Sequence, residues 1–397
     1  MIETWRWFGP DDSISLQKIR QAGATGIVSS LHEVKTGDLW TVEAIQSRKD
    51  MIEAAGLTWD VIESIPVHND IKTRTGNFLE YIENYKQSIV NAAKCGVHTI
   101  CYNFMPVVDW TRTNLMYKLP NNSHALRFEM TDFAAYDVYM LKRDGALESY
   151  SEAVLAKADE RFSAMSDVER LELEKNIIAG LPGGEGSYTR DSIRDTIQQF
   201  IDLGTEGFRD HLFQFLREII PVAESVEAKM CIHPDDPPFS LFGLPRVVST
   251  ASDANKLLEA CPSPANGLTM CAGSYGARGD NNLVQMVREF GPSIYFVHLR
   301  NVIREEDGSF YESDHLVGDN DMVGLVEALL TEEKRREENA EGADYLRIPM
   351  RPDHGHLLED ELNQIGVKPG YSYMGRLKGL AELRGVIHTV STFVDRA

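Results

Sequence analysis

Four side chains of metal-ligand type, His233, Cys271, His298 and Asp353, stand 38, 27 and 55 residues apart in a chain of 397 residues. Structural zinc is normally held by closely spaced Cys or His pairs, so this wide spacing predicts a catalytic ion whose ligands the fold must gather. Two imidazoles, a thiolate and a carboxylate would bring two formal negative charges to a divalent cation and leave positions open for substrate oxygens. Such a donor set suits zinc or ferrous iron, and its carboxylate also tolerates manganese. Beside it, His354 and His356 follow Asp353, and Tyr371 lies in Pro369-Gly370-Tyr371-Ser372-Tyr373. Tyr371 and His354 are candidates for proton transfer, because a nearby cation lowers the pKa of both substrate and phenol. His356 is read as orienting a neighbour.

Arg300 and Arg351 carry the planar fork that grips a carboxylate, although pairing within the protein is an equal claim on Arg351. Glu63, Asn103 and the segment Asp109-Trp110-Thr111-Arg112 follow earlier apolar runs and predict the opposite wall of the site. Asn103 and Trp110 there would face a small polyhydroxylated ligand, though an aromatic after a strand is as often packing.

Taken singly, a strand-end histidine is more often a satisfied hydrogen-bonding residue, and Cys271 could be core. The elements that carry these residues change the odds. Short apolar runs bounded by turn residues occur at 2–8, 26–31, 58–64, 97–104, 228–233, 267–271, 293–299 and 346–351. Segments with apolar residues every three to four positions alternate with them, at 13–22, 42–55, 77–94, 205–226, 252–259, 281–290, 322–336 and 374–384. Several runs, such as Ile294-Tyr295-Phe296-Val297, are apolar on both faces, as a helix-covered parallel sheet requires. Eight strand–helix units predict an α/β fold of the (β/α)8 TIM-barrel type. His233, Cys271, His298 and Asp353 then close or follow the last four strands, at the end where such barrels hold their active sites.

About a hundred residues separate the fourth strand from the next helix, so a long, largely helical insertion is expected at 105–204, as a cap within a single domain of 1–397. Helices are predicted there near 151–165 and 167–179, followed by the turn Leu181-Pro182-Gly183-Gly184. The run Thr331 to Glu338 reads as a solvated helix face. The Gly-rich loop 273–279 lacks both the Gly-x-Gly-x-x-Gly spacing and a Walker lysine, which argues against a nucleotide cradle.

The composition excludes other classes. Asp+Glu number 61 against 40 Lys+Arg, giving a formal charge of −21, so no nucleic-acid partner is expected. No apolar run reaches the roughly 18 residues of a membrane span, and the N-terminus lacks a signal pattern. Five cysteines cannot all pair, and they fit a reducing compartment. A cytoplasmic protein with no membrane partner is expected.

Several segments carry a specific resemblance: Glu3-Thr4-Trp5-Arg6-Trp7-Phe8-Gly9-Pro10, Cys101-Tyr102-Asn103-Phe104-Met105-Pro106, Asp109-Trp110-Thr111-Arg112-Thr113, His233-Pro234-Asp235-Asp236-Pro237-Pro238, Thr269-Met270-Cys271, Arg351-Pro352-Asp353-His354-Gly355-His356 and Gly375-Arg376-Leu377-Lys378-Gly379-Leu380. Nearly the whole chain resembles the mannonate dehydratase family, within the xylose-isomerase-like metal-dependent barrels. The resemblance implies dehydration of D-mannonate to 2-dehydro-3-deoxy-D-gluconate in hexuronate breakdown, with one Mn2+ or Fe2+ per active site. It implies His233, Cys271, His298 and Asp353 as ligands, and Tyr371 with the Asp353-His354 pair as proton-transfer groups. A homo-oligomer is expected. The nearest rival is a divalent-metal sugar isomerase of the same barrel type, whose carboxylate-rich dinuclear centres differ from the thiolate and two histidines found here.

Overall fold

The computed structural model describes residues 1–108, 110–178, 189–339 and 345–394. Eight parallel strands close a barrel: β1 (Ile2–Arg6), β2 (Gly26–Ser29), β3 (Thr58–Glu63), β4 (Thr99–Tyr102), β7 (Lys229–Ile232), β8 (Asn266–Cys271), β9 (Ile294–His298) and β12 (Pro349–Arg351). Each falls inside or within one residue of a predicted run, and helices flank the barrel as the alternation requires. Val28, Val61, Cys101, Cys231, Tyr295 and Phe296 form a separate buried cluster of strand residues. Such filling makes a barrel interior a packed core rather than a pore.

Register places the chemistry. Cys271 on β8 is the direct partner of His298 on β9, which is the partner of Arg351 on β12. Across the barrel, Glu63 on β3 partners Cys101 on β4. Strand ends that are distant in sequence therefore lie side by side at one rim.

The insertion after β4 holds helices at Met130–Ala135, Glu152–Ala164 and Asp167–Ile178, but it begins with a hairpin that periodicity did not reveal. Its strands, β5 (Asn114–Lys118) and β6 (His124–Phe128), join β10 (Val302–Arg304) and β11 (Phe310–Glu312), which follow β9. Together they make an antiparallel sheet ordered β10-β11-β6-β5. The second sheet is thus assembled from two insertions. The predicted turn at 181–184 lies outside the described residues, as do Ala179 and Asp109.

The helix expected from Thr205 is the second part of a longer one, Arg190–Ser225, interrupted at Gly204 with φ 67° and ψ 174°. That left-handed φ is inexpensive only for glycine, and it marks the passage from the insertion back to the barrel. The charged run at 331–338 is only partly a solvated face: Thr331, Glu337 and Glu338 are exposed, but Glu332, Glu333 and Arg336 are buried. Arg336 donates to the carbonyls of Gly291 at 2.7 Å and Ile294 at 2.8 Å, and Glu333 accepts from the Ile348 amide at 2.6 Å. Paired charges there tie the helix to strand ends, so part of the pattern of alternating sign was a network rather than a surface. All five cysteines are free. Among the described residues no helix is long and apolar enough to cross a membrane.

Candidate active site

His233, Cys271 and His298 each offer one ligand atom, and these three atoms all lie within 4.8 Å of one another. His233 follows β7, where its amide donates to the Tyr102 carbonyl at 2.8 Å. Its ring Nδ1 lies 2.7 Å from the Pro234 carbonyl, which can only accept a hydrogen bond, so in the neutral ring Nδ1 carries the proton and Nε2 is bare. That Nε2 stands 3.2 Å from His298 Nδ1. Two nitrogens each about 2.1 Å from one ion stand roughly 3.0–3.4 Å apart, so this separation suits a shared cation. The other ring nitrogen of His298, Nε2, is buried without a hydrogen-bond partner among the described residues and is 3.4 Å from Glu63 Oε1. A carboxylate behind a ligating imidazole is the usual support for such a ligand. Burial, with the Arg351 charge, pushes the His298 pKa well below its ordinary value, so the ring stays neutral and able to coordinate. Burial likewise pushes the Cys271 thiol up to about 12. A cation would reverse that shift by favouring the thiolate. The donor set therefore fits a mononuclear ion.

Asp353 stands beside this group with left-handed φ of 64°. Its Oδ2 is 3.9 Å from Cys271 Sγ and 3.8 Å from His298 Nδ1, so it borders the cluster through two of the three ligand atoms. The same carboxylate accepts from Arg300 Nη1 at 3.0 Å and from Arg351 Nη1. Burial alone would raise its pKa, but the positive charges of Arg351 and Arg300 outweigh burial and hold it well below the carboxylate range.

The two arginines expected to grip a substrate carboxylate are committed to protein carboxylates. Arg351 donates to Glu63 through Nε at 3.0 Å and Nη2 at 2.9 Å, and Arg300 Nη2 donates to Asp236 at 2.7 Å. Both guanidiniums are buried. The fork geometry that suggested substrate binding is spent on holding Glu63, Asp236 and Asp353 in place. Gly273, in the Gly-rich loop, makes room for this: a Cβ there would lie 1.8 Å from Arg300 Nε.

His354 and Tyr371 come together, with Nε2 and the phenol oxygen 3.2 Å apart and the rings edge to face at 4.8 Å. Burial raises the Tyr371 phenol to about 12, against the pull of Arg6 and Arg351. His356 does orient a neighbour, through Nε2 to the Glu312 carbonyl at 2.9 Å. Trp110 is buried, its indole N–H has no partner among the described residues, and its ring meets His354 edge to face at 6.0 Å. Asn103 follows β4 and is half-buried.

Sequence reasoning missed Arg6, Ser274 and Glu312, and missed that Asp236 is part of the site. Arg6, the last residue of β1, pairs with Glu63 at 3.1 Å. Asp236 accepts from Arg112 at 2.8 Å and from Ser274 Oγ at 3.1 Å. Arg6 was reachable by the strand-end rule applied to the first strand. Asp236 sits in the motif quoted for its histidine, and Glu312 lies on a three-residue strand with no periodic signal.

A closed parallel barrel whose late strands deliver two imidazoles and a thiol to one point defines a metal-dependent TIM-barrel enzyme. The family model described as D-mannonate dehydratase (UxuA) matches residues 1–396. A mannonate dehydratase of Saccharophagus degradans is 76% identical over 390 residues, covering 98% of each chain. The crystal structure of mannonate dehydratase from Streptococcus suis serotype2 superposes with a TM-score of 0.77 at 31% identity, covering 99% of this chain and 95% of that one. A xylose isomerase domain protein of Alicyclobacillus acidocaldarius subsp. acidocaldarius shares the fold alone, with a TM-score of 0.50 at 10% identity over 98% of this chain and 99% of that one. The chain belongs to the D-mannonate dehydratase family, and so to the hydro-lyases.

Proposed function

We propose that this chain dehydrates D-mannonate to 2-dehydro-3-deoxy-D-gluconate and water, with one Mn2+ or Fe2+ held by His233, Cys271, His298 and Asp353. The observation that carries the reading is the convergence of three ligand atoms within 4.8 Å beside the buried His354–Tyr371 pair. When bound, the ion supplies a positive centre that stabilises negative charge developing on the substrate carboxylate. The chain's own residues do the rest. Dehydration removes the proton at C2 and expels the hydroxyl at C3, so it needs a base and an acid within hydrogen-bond reach. Tyr371 and His354 are these groups, one taking the C2 proton and the other protonating the departing oxygen. Arg300 and Arg351 act by fixing Asp353 and Glu63, while Asn103 and Trp110 face the sugar chain. The reaction serves hexuronate breakdown in the cytoplasm, carried out by a homo-oligomer.

The test is to load the purified protein with Mn2+ or Fe2+, add D-mannonate and follow the 2-keto-3-deoxy acid. Formation that stops on chelation and resumes on adding metal supports the reading. A product that is an isomer of the substrate, with no water lost, would replace it by a sugar isomerase.

A further inference from the structure

We propose that Glu312, on the cap strand β11, is a positioning residue that fixes the tautomer of His354 and so presents a bare Nε2 to the Tyr371 phenol. This rests on the dehydratase reading above. Glu312 Oε1 is 2.6 Å from His354 Nδ1. An ionised carboxylate only accepts, so the proton of a neutral imidazole must sit on Nδ1, and Nε2 is left as an acceptor. The phenol, 3.2 Å from Nε2, is then the donor of that hydrogen bond.

A competing arrangement is present and loses. Arg300 Nη1 also approaches His354 Nδ1, at 3.3 Å, and a guanidinium can only donate. Its contact to Asp353 Oδ2 is shorter, at 3.0 Å, and the carboxylate contact to Nδ1 is shorter still. The charge-assisted short bond decides the tautomer.

Glu312 is itself fastened at two points. Arg112 Nη2 donates to its Oε1 at 3.3 Å, and His356 holds its backbone carbonyl at 2.9 Å. The strand it ends pairs with β10 and β6, neither of which belongs to the barrel. The cap sheet therefore completes the proton-transfer pair that two barrel-rim residues begin, which gives it a part in turnover beyond covering the mouth.

The experiment compares metal-loaded wild type, Glu312→Gln, Tyr371→Phe and the double variant. A glutamine amide can accept from or donate to Nδ1, so it no longer selects one tautomer. We expect kcat for Glu312→Gln to fall about 10–100-fold, with KM changed by less than about threefold and metal content per chain unchanged. In the Tyr371→Phe background the same change should cost less than about threefold, because the group it acts through is gone. Full kcat in Glu312→Gln, or an equal loss in both backgrounds, overturns the inference. If Glu312→Gln does not fold, Glu312→Asp takes its place with the same two readouts. Failure of the wild type to dehydrate mannonate is a different result, which sinks the underlying reading instead.

Discussion

Asp137 in the cap and Asp353 at the barrel rim are both buried carboxylates flanked by arginine, yet their pKa values move in opposite directions. Among the described residues Asp137 has one cation. Arg143 donates to it through Nε at 2.9 Å and Nη2 at 2.7 Å, Tyr150 adds a hydroxyl at 2.8 Å, and burial still wins, so its pKa is raised. Asp353 meets both Arg351 and Arg300, and their fields outweigh the same burial. The clusters also differ in completeness. Arg143 finds acceptors in Asp137, Ser149 and the Asp144 carbonyl, whereas at the rim His298 Nε2, Arg300 Nε and Trp110 Nε1 have no hydrogen bond among the described residues. Buried charge by itself therefore does not mark a working site. Surplus positive partners and bare donor atoms around a ligand cluster do.

That contrast predicts a graded series of effects on turnover. The largest belongs to the ligand cluster: Cys271→Ala or His298→Ala should lower kcat/KM by at least about 10³-fold, since the cation supplies charge stabilisation worth several kcal/mol. Elemental analysis should find little metal in either purified variant. Retention of one equivalent together with full activity would remove the residue from the centre. Tyr371→Phe comes next. It deletes one hydroxyl from the proton-transfer pair, so kcat should drop by about 10²–10⁴-fold while metal content stays at wild-type level.

Glu63→Gln should act more gently, because it weakens the support of a ligand rather than the ligand. The expected result is about 10–100-fold weaker metal affinity, measured by titration of the metal-free protein. Glu63 also sets a pH signature. Burial raises its pKa, but Arg351 and Arg6 bring it down to about 2 from 4.5. A folded pKa below the unfolded one gives stability that is complete above about 4.5 and is lost as the pH falls toward 2. The shift corresponds to about 3 kcal/mol at neutral pH. Denaturant unfolding of wild type and Glu63→Gln across this range should show the gap between them closing in acid, and a constant gap would contradict the assignment.

Much of this was legible before any coordinates. The barrel was readable because buried parallel strands are short apolar runs on a regular beat, and the rule that active sites sit at strand ends picked out His233, Cys271 and His298 from their positions alone. What stayed hidden was pairing. Arg300 and Arg351 look the same in sequence whether a substrate or Glu63, Asp236 and Asp353 occupies their forks, and only the contacts made in the closed barrel decide. The second sheet was hidden for a different reason. The cap strands β10 and β11 are three residues each, too short for alternation to register, so Glu312 carried no signal. The buried network at Glu332, Glu333 and Arg336 resembled an exposed charged helix because alternating signs suit both settings.

The smallest effect on turnover should come from the other member of the comparison. Asp137→Asn replaces a carboxylate whose charge burial disfavours by a neutral amide of the same shape, which offsets the loss of the Arg143 ion pair, so the variant should stay folded at neutral pH. Its kcat per folded molecule should remain within about twofold of wild type, because the Asp137 carboxylate takes its hydrogen bonds from Arg143 and Tyr150 and from no rim residue among those described. The pH dependence should also run the other way from that of Glu63. A folded pKa raised above the unfolded one gives stability that is present in acid and falls as the pH climbs through the folded value, so Asp137→Asn should flatten that part of the wild-type curve. A large loss of turnover in a well-folded Asp137→Asn protein would mean that the cap cluster is coupled to the rim, and the division between a structural and a working set of buried charges would fail.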